Sequence, residues 1–123
     1  MTNSDRYYKL YQDGRIAMEK RDYRVALENL QQSAAFLVHF KTHELIGECY
    51  LELGKPGDAI VHLAAAAALG NKQVRPYLLL AKALKATGEV YQARGMLQKS
   101  LSINPNYRSA KEFLKEIEQE VCK

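Results

Sequence analysis

Apolar residues along this chain recur at helical spacing in short bouts, each broken by a glycine, a proline or a charged turn, and then resume. The pattern predicts helices at about 5–20, 23–37, 41–53, 56–69, 74–87 and 90–103, with a seventh at about 107–121. In that last segment Ala110, Phe113, Leu114, Ile117 and Val121 form one apolar stripe, while Glu112, Glu116, Glu118, Glu120 and the lysines take the other face. Nothing suggests disorder beyond a short polar start at Thr2, Asn3, Ser4 and Asp5.

The bouts repeat. Asp22-Tyr23-Arg24-Val25-Ala26-Leu27, Lys55-Pro56-Gly57-Asp58-Ala59-Ile60 and Glu89-Val90-Tyr91-Gln92-Ala93-Arg94 align, and Ala26, Ala59 and Ala93 lie 33 and 34 residues apart. Four residues after each alanine stands Leu30, Leu63 or Leu97, and three further on a small residue, Ser33, Ala66 or Ser100. Upstream, the small residues Gly14, Gly47 and Ala81 open a second pattern, continued three positions later by Ala17, Tyr50 and Leu84. Gly54 and Gly88 precede the second helix of the second and third units, and Asn104-Pro105-Asn106 stops the third. Small residues at matching places on two helices let their backbones approach closely.

This arrangement resembles the tetratricopeptide repeat family over about residues 7 to 121. Repeats two and three fit the family pattern well. Repeat one departs from it, with Asp13 where a leucine is usual, Arg21 where a glycine is usual, and no terminal proline. An atypical end repeat is expected where one face meets water. The resemblance implies an all-α fold, a right-handed α-α superhelix of seven helices. A single domain is expected over 1–123, with repeats at about 7–39, 40–73 and 74–107 and a capping helix at about 107–121. Lys115 falls where a fourth repeat would need a small residue, so the last helix reads as a lid.

Composition narrows the function classes. The chain has 123 residues, 47% hydrophobic and 26% charged, long enough for a core without staples. Its longest apolar run, Leu63 to Leu69, falls far short of the roughly 20 residues that cross a bilayer. No secretory leader pattern opens the chain, and Cys49 and Cys122 have neither disulfide-framework nor metal-ligand spacing, so a cytoplasmic setting without membrane contact is expected. Net charge is +4, and its basic bias sits on the third repeat: residues 76 to 108 hold Lys82, Lys85, Arg94, Lys99 and Arg108 against Glu89 alone.

By the resemblance, the first helix of each repeat lines a concave groove through repeat positions 2, 5, 9 and 12. These are Tyr8, Tyr11, Arg15 and Met18 in repeat one; Lys41, Glu44, Glu48 and Leu51 in repeat two; and Arg75, Leu78, Lys82 and Lys85 in repeat three, with Glu112 and Glu116 continuing the row. One reading is a partner groove with an aromatic end, an acidic middle and a basic third repeat, fitted to an extended or helical peptide. The competing reading is a self-paired surface, since position 9 alternates as Arg15, Glu48, Lys82 and Glu116 and neighbours are spaced to form a ladder. A subgroup of the family grips the acidic tails of heat-shock chaperones with a clamp of lysines, asparagines and an arginine. Here Tyr11, Arg15 and Leu45 stand at the clamp places of the first two repeats, Arg75 alone is suitable, and Leu79 replaces the arginine, so binding of such tails is not expected.

A second candidate surface lies on the second helix of repeat two, which reads Ala-Ile-Val-His-Leu-Ala-Ala-Ala-Ala-Ala-Leu from Ala59 to Leu69. Its outward positions are Val61, Ala64, Ala65 and Ala68, whereas the outward side of the same helix in the other repeats carries Glu28, Gln31 and Gln32 or Gln98 and Lys99. A helix apolar all round is usually buried all round, which suggests self-association or partner docking on the convex face. Against this, alanine is the best helix former and is harmless in water.

Other chemistry is weak. His39 and His43 straddle a predicted turn without a third ligand, and His62 reads as a surface residue remote from the groove. Gly54-Lys55-Pro56-Gly57 lacks the spacing and the hydroxyl of a phosphate loop. Ser33 and Ser100 sit at packing positions, Cys49 inside a helix, and no catalytic set or cofactor loop remains, so neither enzyme, cofactor nor metal is expected. Nucleic acid is disfavoured because Glu44, Glu48 and Glu52 would repel phosphate beside the basic third repeat. The expected function is therefore binding of a protein or peptide partner. A self-associating scaffold, a secretion-type chaperone and an immunity-type protein remain as alternatives.

Overall fold

The computed structural model describes residues 1–121, Val121 by its backbone alone. The expectations for Cys122 and for the Val121 side chain lie outside the described residues. Among the described residues the chain forms helices α1 (Asn3–Glu19), α2 (Tyr23–Ala34), α3 (Phe40–Glu52), α4 (Pro56–Leu69), α5 (Val74–Ala86), α6 (Val90–Ile103) and α7 (Arg108–Val121), with no strand. Contacts are most extensive within the pairs α1–α2, α3–α4 and α5–α6, and successive pairs stack through α2–α3 and α4–α5. This is a superhelix of three helix pairs, closed by α7 against α6.

Two helix ends differ from the sequence expectation. α1 starts at Asn3 because the polar opening is a cap. The Thr2 hydroxyl accepts from the Asp5 amide at 3.1 Å and the Asp5 carboxylate accepts from the Thr2 amide at 3.1 Å, satisfying two otherwise orphaned donors. The Thr2 hydroxyl also donates to the Asp5 carboxylate at 2.8 Å, and this bond, with that from the Thr2 amide, holds the Asp5 carboxyl below its usual range. α2 stops at Ala34 and does not reach residue 37. The Ser33 carbonyl takes the amides of Phe36 and Leu37 at 3.0 and 3.4 Å, tightening the chain into a turn, and Arg6 lies over the Phe36 ring at 5.7 Å.

The same turn joins the two helices of every pair. Asp22, Lys55 and Glu89 donate their amides to the carbonyls of Ala17, Tyr50 and Leu84 at 2.9, 2.8 and 2.8 Å. The residue before each of these three is left-handed: Gly54 has φ 74°, Gly88 has φ 89°, and Arg21, in the position where the other repeats carry glycine, has φ 61°. The geometry of the turn is thus kept in repeat one although the residue that favours it is absent.

Packing inside each pair rests on small residues against a leucine. Ala26, Ala59 and Ala93 are fully buried, as are Leu30, Leu63 and Leu97. A methyl group placed on Gly14 would stand 2.7 Å from the Leu30 Cγ, and one on Gly47 would overlap Leu63 more deeply still. Ser33 and Ser100, also buried, donate from their hydroxyls to the carbonyls of Tyr7 and Val74 at 3.1 and 3.0 Å, tying the end of each second helix to the start of the first. The buried side chains gather in two clusters, one around Ala17, Ala26, Leu30, Leu45, Ile46 and Cys49 and the other running from Ala59 and Leu63 to Ala110 and Ile117, with Tyr50 touching both.

The two ends of the stack differ. α7 covers the third pair with Ala110 and Ile117 buried and Lys115 outward. At the other end Ile16 and Val25 are exposed beside a shallow depression of about 340 Å³ shared with Asp13, Lys20, Asp22 and Asn29.

Arg21→Gly is expected to stabilise the chain by about 1 kcal/mol, since a side chain in the left-handed region costs on the order of 1–2 kcal/mol; urea unfolding measures it. Gly47→Ala is expected to cost about 1–3 kcal/mol through overpacking on Leu63, read as a lower urea midpoint with unchanged far-UV helicity.

Candidate partner-binding surfaces

The first helices of the three pairs, α1, α3 and α5, carry the twelve groove candidates, and these differ widely in accessibility. Tyr8, Arg15 and Lys82 are exposed, Tyr8 at 59%. Tyr11, Met18, Lys41, Glu48, Leu51, Arg75 and Lys85 are half-buried. Leu78, at 5% exposure, belongs to the core, and Glu44, at 1%, is sealed beneath its neighbours. These two are corrected from partner contacts to structural residues. The register that assigned them treats each first helix alone, whereas the adjoining helices cover their side chains.

Glu44 is buried because it has two cations. Lys41 Nζ and Arg75 Nη1 both reach its Oε2, at 2.6 and 2.7 Å, and Arg75 Nη2 extends to Glu48 Oε1 at 3.0 Å. A buried carboxylate is tolerable only with such compensation. Burial alone would lower the Arg75 pKa, but Glu48 and Glu44 together carry it above its ordinary value. The predicted position 9 ladder does not form: Glu48 pairs with Arg75, and among the described residues Arg15 and Lys82 make no ion pair. Arg75 reaches across from α5 and pairs with both Glu44 and Glu48 of α3. Lys82 instead lines, with Ser109, Glu112, Phe113 and Glu116, an open depression of about 360 Å³. Lys85 bridges to Glu120 at 3.1 Å and lies over the Phe113 ring at 5.5 Å.

Two tyrosines that the repeat register did not select support this row. Tyr7 is buried, shares a 2.8 Å hydrogen bond with Thr42, stacks on Tyr11 at 5.6 Å and meets Tyr8 edge-on at 5.3 Å. Burial pushes the Tyr11 hydroxyl up, against the field of Arg15 and with that of Tyr7 and Glu44. Tyr107 is likewise pushed up by burial, opposed by Arg75 and helped by Glu44, so both phenols flank the buried ion group. The run of tyrosines at Tyr7, Tyr8 and Tyr11 was the signal available for the first; nothing in the repeat pattern marks the second.

The convex positions are also uneven. Val61 is 68% exposed, Ala64 and Ala68 are exposed, and Ala65 is half-buried. The helix is apolar all round, yet its outer side faces water in the single chain. Beside it Ala64, Ala67 and Ala68 of α4 line a notch of about 290 Å³ with Tyr77, Leu80, Met96 and Lys99.

The histidines are placed differently from expectation. His39 caps α3, its Nδ1 accepting from the Lys41 amide at 3.1 Å. His62 is no free surface residue: it is half-buried, and its Nδ1 lies 3.3 Å from that of His43. The register of α4 against α3 brings the two rings together, which spacing along one helix does not reveal. Cys49 is fully buried, and burial, reinforced by Glu48 and Glu52, pushes its thiol up to about 12. No helix among the described residues is long and apolar enough to cross a membrane.

Stacked helix pairs, a shared turn and a terminal lid define an all-α repeat protein. A tetratricopeptide repeat family model matches residues 50–117, more than half of the chain. The chain belongs to the tetratricopeptide repeat family. It is 24% identical over 120 residues to DnaJ homolog subfamily C member 3 of Gallus gallus; those residues are 97% of this chain and about a quarter (24%) of that relative's length. The first tetratricopeptide domain of Spaghetti (RPAP3), bound to the HSP90 peptide SRMEEVD, superposes with a TM-score of 0.94 at 19% identity, covering 99% of this chain and 98% of that one. The Yersinia enterocolitica type III secretion chaperone SycD, in complex with a peptide of the translocator YopD, gives 0.87 at 18% identity, covering 94% and 95%. At these identities the likeness establishes the fold.

Arg75→Met is expected to cost about 2 kcal/mol, since buried Glu44 loses one of its two countercharges. Adding Glu44→Met should recover at least half of that loss in a urea double-mutant cycle, because the pair is then replaced by apolar side chains of similar size.

Proposed function

We propose that this chain is a non-catalytic binding module that receives a peptide or protein partner along the face formed by α1, α3 and α5. The observation that carries the reading is the division of charges and aromatics on that face. Its inner charges, Glu44, Glu48, Lys41 and Arg75, satisfy one another, whereas Tyr8, Arg15 and Lys82 stand exposed over them. A fixed, internally neutralised floor with an exposed aromatic and two exposed cations is a pre-organised surface, which lowers the ordering cost of binding. Relatives of the same fold that hold HSP90 or translocator peptides support a peptide as the class of partner.

The chemistry does not favour an acidic chaperone tail. Arg75, the one suitable clamp residue, is already engaged by two carboxylates, and Leu45 and Leu79 are buried. A partner that contributes an acidic group towards Arg15 or Lys82 and an apolar or aromatic group towards Tyr8 fits better.

A second reading, self-association or docking through α4, is favoured by Val61, whose exposure is unusual for a large aliphatic side chain beside three accessible alanines.

Two variants separate these readings. The chain is used to capture partners from its native source beside Tyr8→Ala/Arg15→Glu/Lys82→Glu, all exposed positions, and beside Ala64→Glu on the outer side of α4. Loss of the captured partner with the triple variant alone, at unchanged helicity, supports the groove. Loss with Ala64→Glu alone, or concentration-dependent sedimentation abolished by it, transfers the function to α4.

A further inference from the structure

His43 and His62 form a direct imidazole–imidazole hydrogen bond between α3 and α4. Their Nδ1 atoms are 3.3 Å apart and the ring centroids 5.5 Å apart, with the planes inclined by 21°. A ring nitrogen lies about 1.1 Å from its centroid, so a 3.3 Å contact along the line of centres would separate them by about 5.5 Å. The rings therefore meet edge to edge, nitrogen to nitrogen. One must carry its proton on Nδ1 and the other must present a lone pair.

The pair joins the two helices of repeat two. On its far side His62 faces the Tyr50 ring at 5.7 Å, and Tyr50 accepts a 3.0 Å hydrogen bond from Gln31 of α2. Contacts thus run from repeat one through α3 to α4. The repeat offset of 34 places Tyr77 and Met96 at the matching positions of repeat three, on α5 and α6, where they line the notch of about 290 Å³ beside α4. The third helix pair thus carries an aromatic ring and a thioether where the second carries two imidazoles.

We infer that the His43–His62 contact makes the α3–α4 pair of repeat two a proton-sensitive joint, which loosens as pH falls below the ordinary histidine range while the α5–α6 pair holds. The neutral pair and the singly protonated pair can both keep the bond. The doubly protonated pair cannot, since no lone pair remains and two like charges face each other. Burial lowers both histidines below their ordinary value; for His62 the field of His43 adds to this and that of Asp58, one turn earlier on α4, opposes it. The Tyr50 ring on α3 and, behind it, the uncharged Gln31 side chain of α2 are the other polar groups on that side. The opened joint restores ordinary histidine affinity for protons. Closure is therefore fully favoured above about pH 6.5 and is progressively lost as pH falls through and below that value. The opening equilibrium shifts by up to about tenfold per histidine for each pH unit.

Amide hydrogen exchange of the intact chain at pH 7.5 and 5.5, corrected for intrinsic rates, tests the inference. Protection of α3 and α4 is expected to fall at least tenfold relative to α5 and α6. In His43→Tyr/His62→Met, which installs the matching residues of the third helix pair, that relative loss should disappear. Should the double variant not fold, His62→Gln serves, with the relative loss expected to shrink at least threefold. A uniform loss across all helices, or the same relative loss in the variant that folds, overturns the joint.

Discussion

Every level of this structure depends on how closely two helices approach within a pair. Gly14 against Leu30 and Gly47 against Leu63 bring backbones so near that a single added methyl would collide with the opposing leucine. Ala81 takes the same position opposite Leu97 in the third pair. That contact fixes the crossing of each pair, and the shared left-handed turn fixes its hand. Repeated at an offset of 33 or 34 residues, the pair can only stack, because its remaining apolar flank must be covered by the next one. The superhelix is the accumulated result of one local approach distance.

On this frame the polar chemistry divides by depth. The Glu44–Arg75–Glu48 group lies at the bottom of the face formed by the first helices, where Lys41 completes its neutralisation. It links α3 to α5 and so holds repeats two and three in a defined relation. Buried ion groups of this kind contribute little net stability compared with apolar side chains of the same volume, but they penalise any arrangement that separates the charges. The centre of this face is thereby tied together by charge, while Tyr8, Arg15 and Lys82 stand exposed.

Much of the architecture was legible in the sequence because it is periodic. The spacing of Ala26, Ala59 and Ala93 and of their following leucines fixed the pairs, and the apolar stripe of α7 marked the lid. What escaped was set by contacts across helices. Glu44 looked like a groove contact because its own helix places it there, and only the reach of Arg75 from α5 makes its burial tolerable. His62 looked like surface because its partner, His43, lies 19 residues away on the facing helix. The capping role of Thr2 and Asp5 is local by contrast, a contact three residues apart that escaped because its polar residues read as an unstructured start. Arg21 shows the opposite case. The missing glycine suggested a degraded repeat, yet the surrounding hydrogen bonds impose the same turn on a residue that disfavours it.

The unequal ends of the stack give the array a direction of growth. A helix pair fused ahead of α1 would find Ile16 and Val25 ready to be covered beside Ala17, and would convert water-facing aliphatic surface into an internal seam. A pair fused behind α7 would meet Lys111, Lys115 and Glu118 and would have to strip a charged surface of its solvent. For anyone building longer arrays from this chain, modules are best added in front, with α7 kept as the fixed terminus.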